Sequence, residues 1–187
     1  MAKNSENSVV PQLPIDQMHE RHIGLTPEVA ACYLQAASVC LDRHHNPPVV
    51  FDLFDGSNER QARVQWKPST PQVRAAWANT TDTTESGAYA CALAGTELLR
   101  GFFAVRRAET GTGSDYYVGP PGAGTEDLES CWRLEVSGVD AGNRTTLNGR
   151  LRIKVRQAQE GASNLPALAG IVGFEARQML FASVPEE

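Results

Sequence analysis

Two acidic residues, Asp115 and Glu135, occupy the part of the sequence that is best suited to chemistry. Asp115 ends a glycine-rich loop, 111–115, and leads into a short predicted strand, whereas Glu135 lies at the centre of another. A carboxylate in the middle of an apolar strand is costly to desolvate unless a cation or strong hydrogen-bond donors lie beside it. The sequence therefore predicts a partner for Glu135, and a divalent metal ion shared with Asp115 is one candidate.

The two acids fall within a series of elements between residues 83 and 176, in the order helix, strand, strand, strand, helix, strand. Apolar residues at helical spacing predict the first helix, which Asp82 or Thr83 is expected to cap and Gly101 to end, and the second, over 147–159. A mostly apolar run over 170–176 predicts the closing strand, which is expected to be buried. This order predicts an α/β (α+β) fold class, with a central mixed sheet flanked by helices.

The N-terminal half adds a helix and a hairpin to this series. Thr26 is a favourable N-cap and Pro27 suits the first helical position, which predicts an amphipathic helix of about eighteen residues. Alternating residues over 49–56 and 62–67 predict two antiparallel strands. This helix and hairpin are expected to elaborate the core.

Residues 1–22 are mostly polar and predict a flexible N-terminal arm, which leaves 23–187 as a single domain. His19 and His22 lie three positions apart in the arm, and this is not the His-Glu-x-x-His spacing of zinc proteases. The two histidines are interpreted as solvated polar residues.

Composition limits the classes of partner. The formal net charge is -5 and the pI is near 5.4, so the whole molecule does not attract nucleic acid by long-range electrostatics. No apolar stretch is long enough to span a membrane, and no secretory signal opens the chain. The 4 cysteines are far apart and most have apolar neighbours, as is typical of buried free thiols. A cytoplasmic location without a membrane partner is expected.

Basic residues concentrate in the second predicted helix and just before it. Arg144, Arg150 and Lys154 predict a local basic face on an acidic body, which is a candidate contact for nucleic acid. Tyr116 and Tyr117 adjoin the glycine-rich loop and favour a protein partner or a homo-oligomer, because tyrosine is enriched at interfaces.

The element order and the two acids resemble the PD-(D/E)XK nuclease-like superfamily, the restriction-endonuclease fold. In that family an Asp opens the second strand, a Glu lies in the third strand as part of Glu-x-Lys, and the first core helix often supplies a further Glu. By this resemblance Asp115 and Glu135 are the two strand acids and Glu85 is the helical acid. The nuclease-like core would span about 83–176.

The resemblance implies a metal-dependent nuclease that acts on DNA, with Mg²⁺ or Mn²⁺ as the cofactor. Asp115, Glu135 and the Val136 carbonyl would hold the ion, because Mg²⁺ prefers hard oxygen ligands. The ion would polarise the scissile phosphate and help to generate hydroxide from bound water. Such a protein is expected to be a subunit of a bacterial defence or nucleic-acid-processing assembly.

One departure from the family pattern concerns the motif lysine, because Ser137 stands in its place. A hydroxyl can hydrogen-bond a phosphate oxygen or a water, but it carries no charge to stabilise the transition state. Arg150, Lys154 and Gln157 lie four and three positions apart and so share one face of the second helix. If that face meets the strand end, Lys154 or Gln157 is the candidate replacement.

Two other interpretations of the acids stay open. In the first, Asp115 caps a tight turn and Glu135 forms a salt bridge with Arg133, Arg106 or a helix residue. In the second, a degenerate nuclease-like fold serves as a non-catalytic, acidic interaction or scaffolding subunit, which Ser137 and the negative charge favour. Convergence of the two carboxylates in an open cleft would favour catalysis, and an arginine on each of them would oppose it.

Overall fold

A seven-stranded mixed sheet runs through the middle of the protein, with helices on both of its faces. The computed structural model describes residues 9–161 and 163–184. In chain order the strands are β1 Val49–Asp55, β2 Asn58–Val64, β3 Phe103–Arg107, β4 Tyr116–Gly119, β5 Trp132–Val139, β6 Ala167–Gly173 and β7 Gln178–Ser183. The helices are α1 Pro27–His44, α2 Pro71–Ala76, α3 Thr80–Arg100 and α4 Arg144–Gln159.

The strand order is β2-β1-β7-β6-β5-β4-β3. The pairs β1 with β7 and β5 with β6 are parallel, and the other neighbours are antiparallel. The expected mixed sheet with flanking helices is therefore confirmed. The N-terminal hairpin continues this sheet beyond β7, and α3, β3, β4, β5, α4 and β6 follow one another in the predicted order.

Helices α1 and α3 pack together on one face of the sheet, and α4 packs on the other. Small residues allow the close approach of α1 and α3, because a Cβ added at Gly87 would lie 2.9 Å from the Cα of Ala37. Leu134 and Val136 of β5 belong to the core on the α3 face. Leu147 belongs to the smaller core on the α4 face. The alternation of side chains along β5 therefore separates an apolar face from one that can carry polar groups.

Local signals set most helix boundaries, with one correction. Thr26 accepts a hydrogen bond from the Val29 amide and opens α1 as predicted. The expectation that Asp82 or Thr83 caps α3 is wrong, because Asn79 accepts from the amides of residues 81 and 82. Gly101 ends α3 in a left-handed conformation with φ 65°, which suits glycine.

The predicted flexible arm is wrong from residue 9 onward, and residues 1–8 lie outside the described part of the chain. Leu13, Ile15 and Met18 are each only 1% exposed and belong to the core on the α1 and α3 face. The Leu13 amide also donates to the Arg63 carbonyl at 2.8 Å, so the segment lies alongside β2. These three apolar residues outweigh their polar neighbours because their burial stabilises the fold.

His22 is fully buried, which corrects its interpretation as a solvated residue. Its Nδ1 accepts the Ala104 amide of β3 at 2.8 Å, and its Nε2 lies 2.9 Å from Glu97 Oε2. A nitrogen that accepts an amide hydrogen carries no proton, so the ring is neutral and Nε2 donates to Glu97. Arg21 donates to the other oxygen of Glu97 at 2.8 Å. Burial is the largest influence and lowers the pKa of His22.

We expect the free energy of unfolding to depend on pH through His22. A folded-state pKa below the unfolded value of about 6.5 means that the unfolded chain binds more protons, so stability falls as the pH falls below that value. His22→Gln keeps a donor and an acceptor without titrating. Urea unfolding at pH 7.5, 6.5 and 5.5 should therefore show a smaller loss of stability for His22→Gln than for the wild type or the control His19→Gln. Equal pH dependence in all three proteins would contradict the assignment.

Candidate active site where strand β4 begins

Asp115 and Glu135 meet where the pairing of β4 with β5 ends. The last pair of the ladder is Tyr116 with Leu134, and Asp115 forms a bend just before β4, with its amide donating to the Leu134 carbonyl at 2.8 Å. The Asp115 carboxyl group lies close enough to Glu135 that its charge and a side-chain hydrogen bond both raise the pKa of Glu135. The described part of β4 begins at Tyr116, and the last residues of β5, 136–139, pair with β6 alone. The two acids therefore meet at an open edge of the sheet.

The Asp115 carboxylate occupies the position where β4 would otherwise continue. Its Oδ2 accepts the Val136 amide at 2.8 Å, and its Oδ1 accepts the Tyr89 hydroxyl of α3 at 2.7 Å. Arg107 Nη2, at the end of β3, lies 3.4 Å from Oδ1. Both oxygens thus have close neutral donors, and the arginine is a more distant neighbour. These bonds fix the orientation of the carboxylate.

The Val136 carbonyl points to the same edge as Asp115. In an extended strand the amide and the carbonyl of one residue point toward the same neighbouring strand. Because the Val136 amide faces Asp115, its carbonyl faces the open edge as well. Among the described residues, no side chain and no backbone group outside the strand ladders donates a hydrogen bond to that oxygen. It is therefore available as a ligand.

Glu135 extends from the α4 face of β5 and meets Lys154. Lys154 Nζ lies 2.7 Å from Glu135 Oε1, and the two side chains are only 18% and 11% exposed. Burial is the main cause that raises the pKa of Glu135, the charge of Asp115 raises it further, and Lys154 opposes both. Two carboxyl groups therefore crowd one partly buried place, where an additional cation would be favourable.

The other site residues expected from the sequence differ in their burial and in their position relative to Asp115 and Glu135. Ser137 is buried and follows Glu135 on the same face of β5, whereas Lys154 reaches that face from α4. Gln157 is exposed, and its backbone carbonyl lies against Gly113. Glu85 is exposed one turn before Tyr89 on α3, and in the described residues it forms no ion pair with either member of the site.

The arginine partners proposed for Glu135 are not observed. Arg106 pairs with Glu109, and Arg133 donates to backbone carbonyls of the loop before β4 and of the C-terminal end of α4. The third alternative, a helix residue, is the one that the structure contains. Arg133 instead holds the glycine-rich loop against α4, which helps to place Asp115.

Tyr89 and Arg107 are site residues that the sequence did not indicate. Tyr89 follows Glu85 by four positions and so lies on the same side of α3. This helical spacing is the local signal that could have identified Tyr89. Arg107 carries no such signal, because its place beside Asp115 depends on the pairing of β3 with β4.

Gly138 brings α3 close to the open edge of β5. A Cβ at this position would collide with the Thr84 carbonyl of α3. Only glycine permits this approach without a shift of the helix. The close packing places the first half of α3 so that Tyr89 reaches Asp115.

The residues present fit a hydrated magnesium ion. Across residues 9–161 and 163–184, no group of three or more His, Cys, Asp or Glu side chains is placed to hold a metal. Mg²⁺, however, usually keeps several waters and binds through one or two carboxylates together with substrate phosphates. Asp115, Glu135 and the unpartnered Val136 carbonyl provide such a donor set.

Comparisons with known proteins do not add to this picture. No protein-family model matches the chain, and no curated protein or solved structure shows a significant match to it. Over the described residues, no helix combines the length and the apolar character that crossing a membrane requires.

Proposed function

We propose that the protein is a metal-dependent nuclease-like phosphodiesterase that acts on DNA as a subunit of a bacterial defence or nucleic-acid-processing assembly. The observation that carries the proposal is the meeting of Asp115, Glu135 and the Val136 backbone at one open edge, with Lys154 2.7 Å from Glu135. The order of elements around the site is the one that suggested the PD-(D/E)XK resemblance.

Three oxygen donors would hold a Mg²⁺ or Mn²⁺ ion in this proposal: one carboxylate each from Asp115 and Glu135, and the carbonyl of Val136. When bound, the ion supplies polarisation of the scissile phosphate and activation of a water. Tyr89 and the Val136 amide hold Asp115 in place, so little reorientation is needed when substrate arrives.

Lys154 takes the role that the motif lysine has in the family. Ser137 can donate a hydrogen bond to a phosphate oxygen, but it carries no positive charge to offset the charge that develops in the transition state. The Lys154 ammonium already lies at the acid pair and reaches it from α4. A lysine on a helix thus supplies the positive charge that the strand residue lacks.

The exposed basic side chains of α4 are the proposed contact for DNA. Arg150, Arg152 and Arg156 are exposed, and helix α4 contains no acidic residue. Arg144 contributes less, because its guanidinium lies over the Phe54 ring, with Cζ 3.8 Å from the ring centroid. The contact would be local, since the net charge of the whole chain is -5.

The proposal is tested by incubating supercoiled and linear DNA with the purified protein in Mg²⁺, Mn²⁺ or EDTA. We expect cleavage with either metal, none in EDTA, and none by Asp115→Ala or Glu135→Ala. Cleavage that both substitutions leave unchanged would remove the assignment.

A second candidate function is a non-catalytic, acidic interaction subunit with a protein partner or as a homo-oligomer. The observation in its favour is that protein donors satisfy both acids: Lys154 binds Glu135, and Tyr89 binds Asp115. Size-exclusion chromatography with light scattering and capture of a partner from native lysate address it. A monomer that captures nothing and cleaves DNA would count against it.

A further inference from the structure

Arg107 is a cation at the acid pair that the proposed chemistry leaves unused. It ends β3, its side chain is 49% exposed, and Nη2 lies 3.4 Å from Asp115 Oδ1. Its guanidinium stacks on two tyrosine rings, with Cζ 4.5 Å from the Tyr89 centroid and 4.8 Å from the Tyr116 centroid. A planar cation is thus held on an aromatic support at the edge of the site.

The aromatic support is fixed by hydrogen bonds. Tyr89 donates to Asp115 and accepts from Arg107 Nη2 at 3.0 Å. The hydroxyls of Tyr116 and Tyr33 lie 2.8 Å apart, and Tyr33 also packs on Tyr89, with ring centroids 5.1 Å apart. Burial is the main cause that raises the pKa of Tyr89 and of Tyr116, so both rings stay neutral under the cation. The orientation of the guanidinium is therefore set before any ligand binds.

Most of the hydrogen-bonding capacity of Arg107 is free. A guanidinium has five N–H groups. Among the described residues, only its Nη2 donates, to Tyr89 and to Asp115, whereas Nε and Nη1 have no acceptor. Asp115 does not require this arginine, because Tyr89 and the Val136 amide already occupy its two oxygens. The arginine is therefore available for another anion.

We infer that Arg107 binds a backbone phosphate of the nucleic-acid substrate beside the acid pair, on the β3 side of the site. A guanidinium matches two phosphate oxygens with parallel N–H groups, which suits a planar cation of fixed orientation. Two carboxylates alone would repel a phosphodiester, and Arg107 and Lys154 offset that repulsion from β3 and from α4. This inference rests on the proposed function.

Fluorescence anisotropy with labelled single-stranded and duplex oligonucleotides tests the inference, in EDTA and over a range of salt concentrations. Arg107→Gln should weaken binding about 10-fold. It should also make the negative slope of the log association constant against log salt concentration shallower by about one, since one phosphate contact is lost. Arg107→Lys should keep the slope, because the charge remains, and bind a few-fold more weakly than wild type. Arg106→Gln is the matched control and should behave as wild type, because Arg106 pairs with Glu109.

The outcomes separate this inference from the function on which it rests. Wild-type affinity and an unchanged salt slope for Arg107→Gln, in a protein that binds and cleaves DNA, would overturn the role of Arg107 and leave the nuclease proposal standing. A wild-type protein that neither binds nor cleaves would overturn both. Melting temperatures for each variant distinguish a local loss of binding from unfolding, because a folding defect does not change the salt slope of the folded fraction by one unit.

Discussion

Glu135→Gln is expected to slow metal-dependent DNA cleavage by about 10²- to 10³-fold without loss of folding stability. The amide removes a charged oxygen donor from the proposed metal site and keeps the size of the side chain. Burial and the charge of Asp115 already raise the pKa of Glu135, so the folded protein disfavours the ionised form relative to the unfolded chain. Removing that charge should leave the free energy of unfolding equal or slightly higher.

Single-turnover cleavage rates and urea unfolding of the same preparations measure the two effects. Glu126→Gln is the control, because Glu126 is exposed and lies outside the site. A large loss of stability in Glu135→Gln would show that the acid has a structural role. Wild-type cleavage by Glu135→Gln would show that the acid takes no part in the chemistry.

Lys154→Met is expected to lower both activity and stability. The ammonium is the positive charge that replaces the motif lysine, so its loss should cost about 10²-fold in rate. The substitution also leaves Glu135, with an 11% exposed side chain, without its cation. Removing one partner of this largely buried ion pair should lower the free energy of unfolding by about 2 kcal/mol. This is less than for fully buried ion pairs, because Lys154 and Glu135 both keep some contact with solvent.

The double variant Lys154→Met with Glu135→Gln separates the two roles of Lys154. Neutralising the abandoned acid should restore most of the stability, whereas activity should stay low. Lys67→Met, at an exposed position away from the site, is the matched control. Recovery of activity together with stability would mean that Lys154 serves the fold alone.

Local sequence signals were sufficient for much of the fold because they act within a single element. Thr26 and Pro27 define the start of α1, and Gly101 defines the end of α3, through bonds and torsions that involve only near neighbours. The hairpin of β1 and β2 likewise follows from alternation around a short turn. The cap of α3 was missed because Asn79, Asp82 and Thr83 are all suitable capping residues.

Long-range packing set the features that the sequence could not provide. His22 stands among polar residues, yet Ala104 and Glu97 complete its two hydrogen bonds from β3 and α3. The segment 9–22, to which His22 belongs, contains several isolated apolar residues, and these do not reveal which surface of the fold they cover. Its burial therefore could not be read from composition.

The candidate site was predicted in part for the same reason. Strand periodicity and the glycine-rich loop indicated that Asp115 and Glu135 lie on or beside neighbouring strands, but only the point at which the β4–β5 pairing ends, at Tyr116 and Leu134, brings the two carboxyl groups together. A slip of one residue would move every side chain of a strand to the other face. Tyr89 and Arg107 come from α3 and β3, and their contacts with Asp115 depend on the complete arrangement of the layers.

The central claim is that Asp115 and Glu135 hold a divalent cation, and an anomalous difference map from a Mn²⁺-soaked crystal tests it most directly. We expect one peak between the two carboxylates, with the Val136 carbonyl as a further ligand and Mg²⁺-like distances of about 2.1 Å. A map without a peak at this position, at a Mn²⁺ concentration that supports cleavage, would contradict the claim.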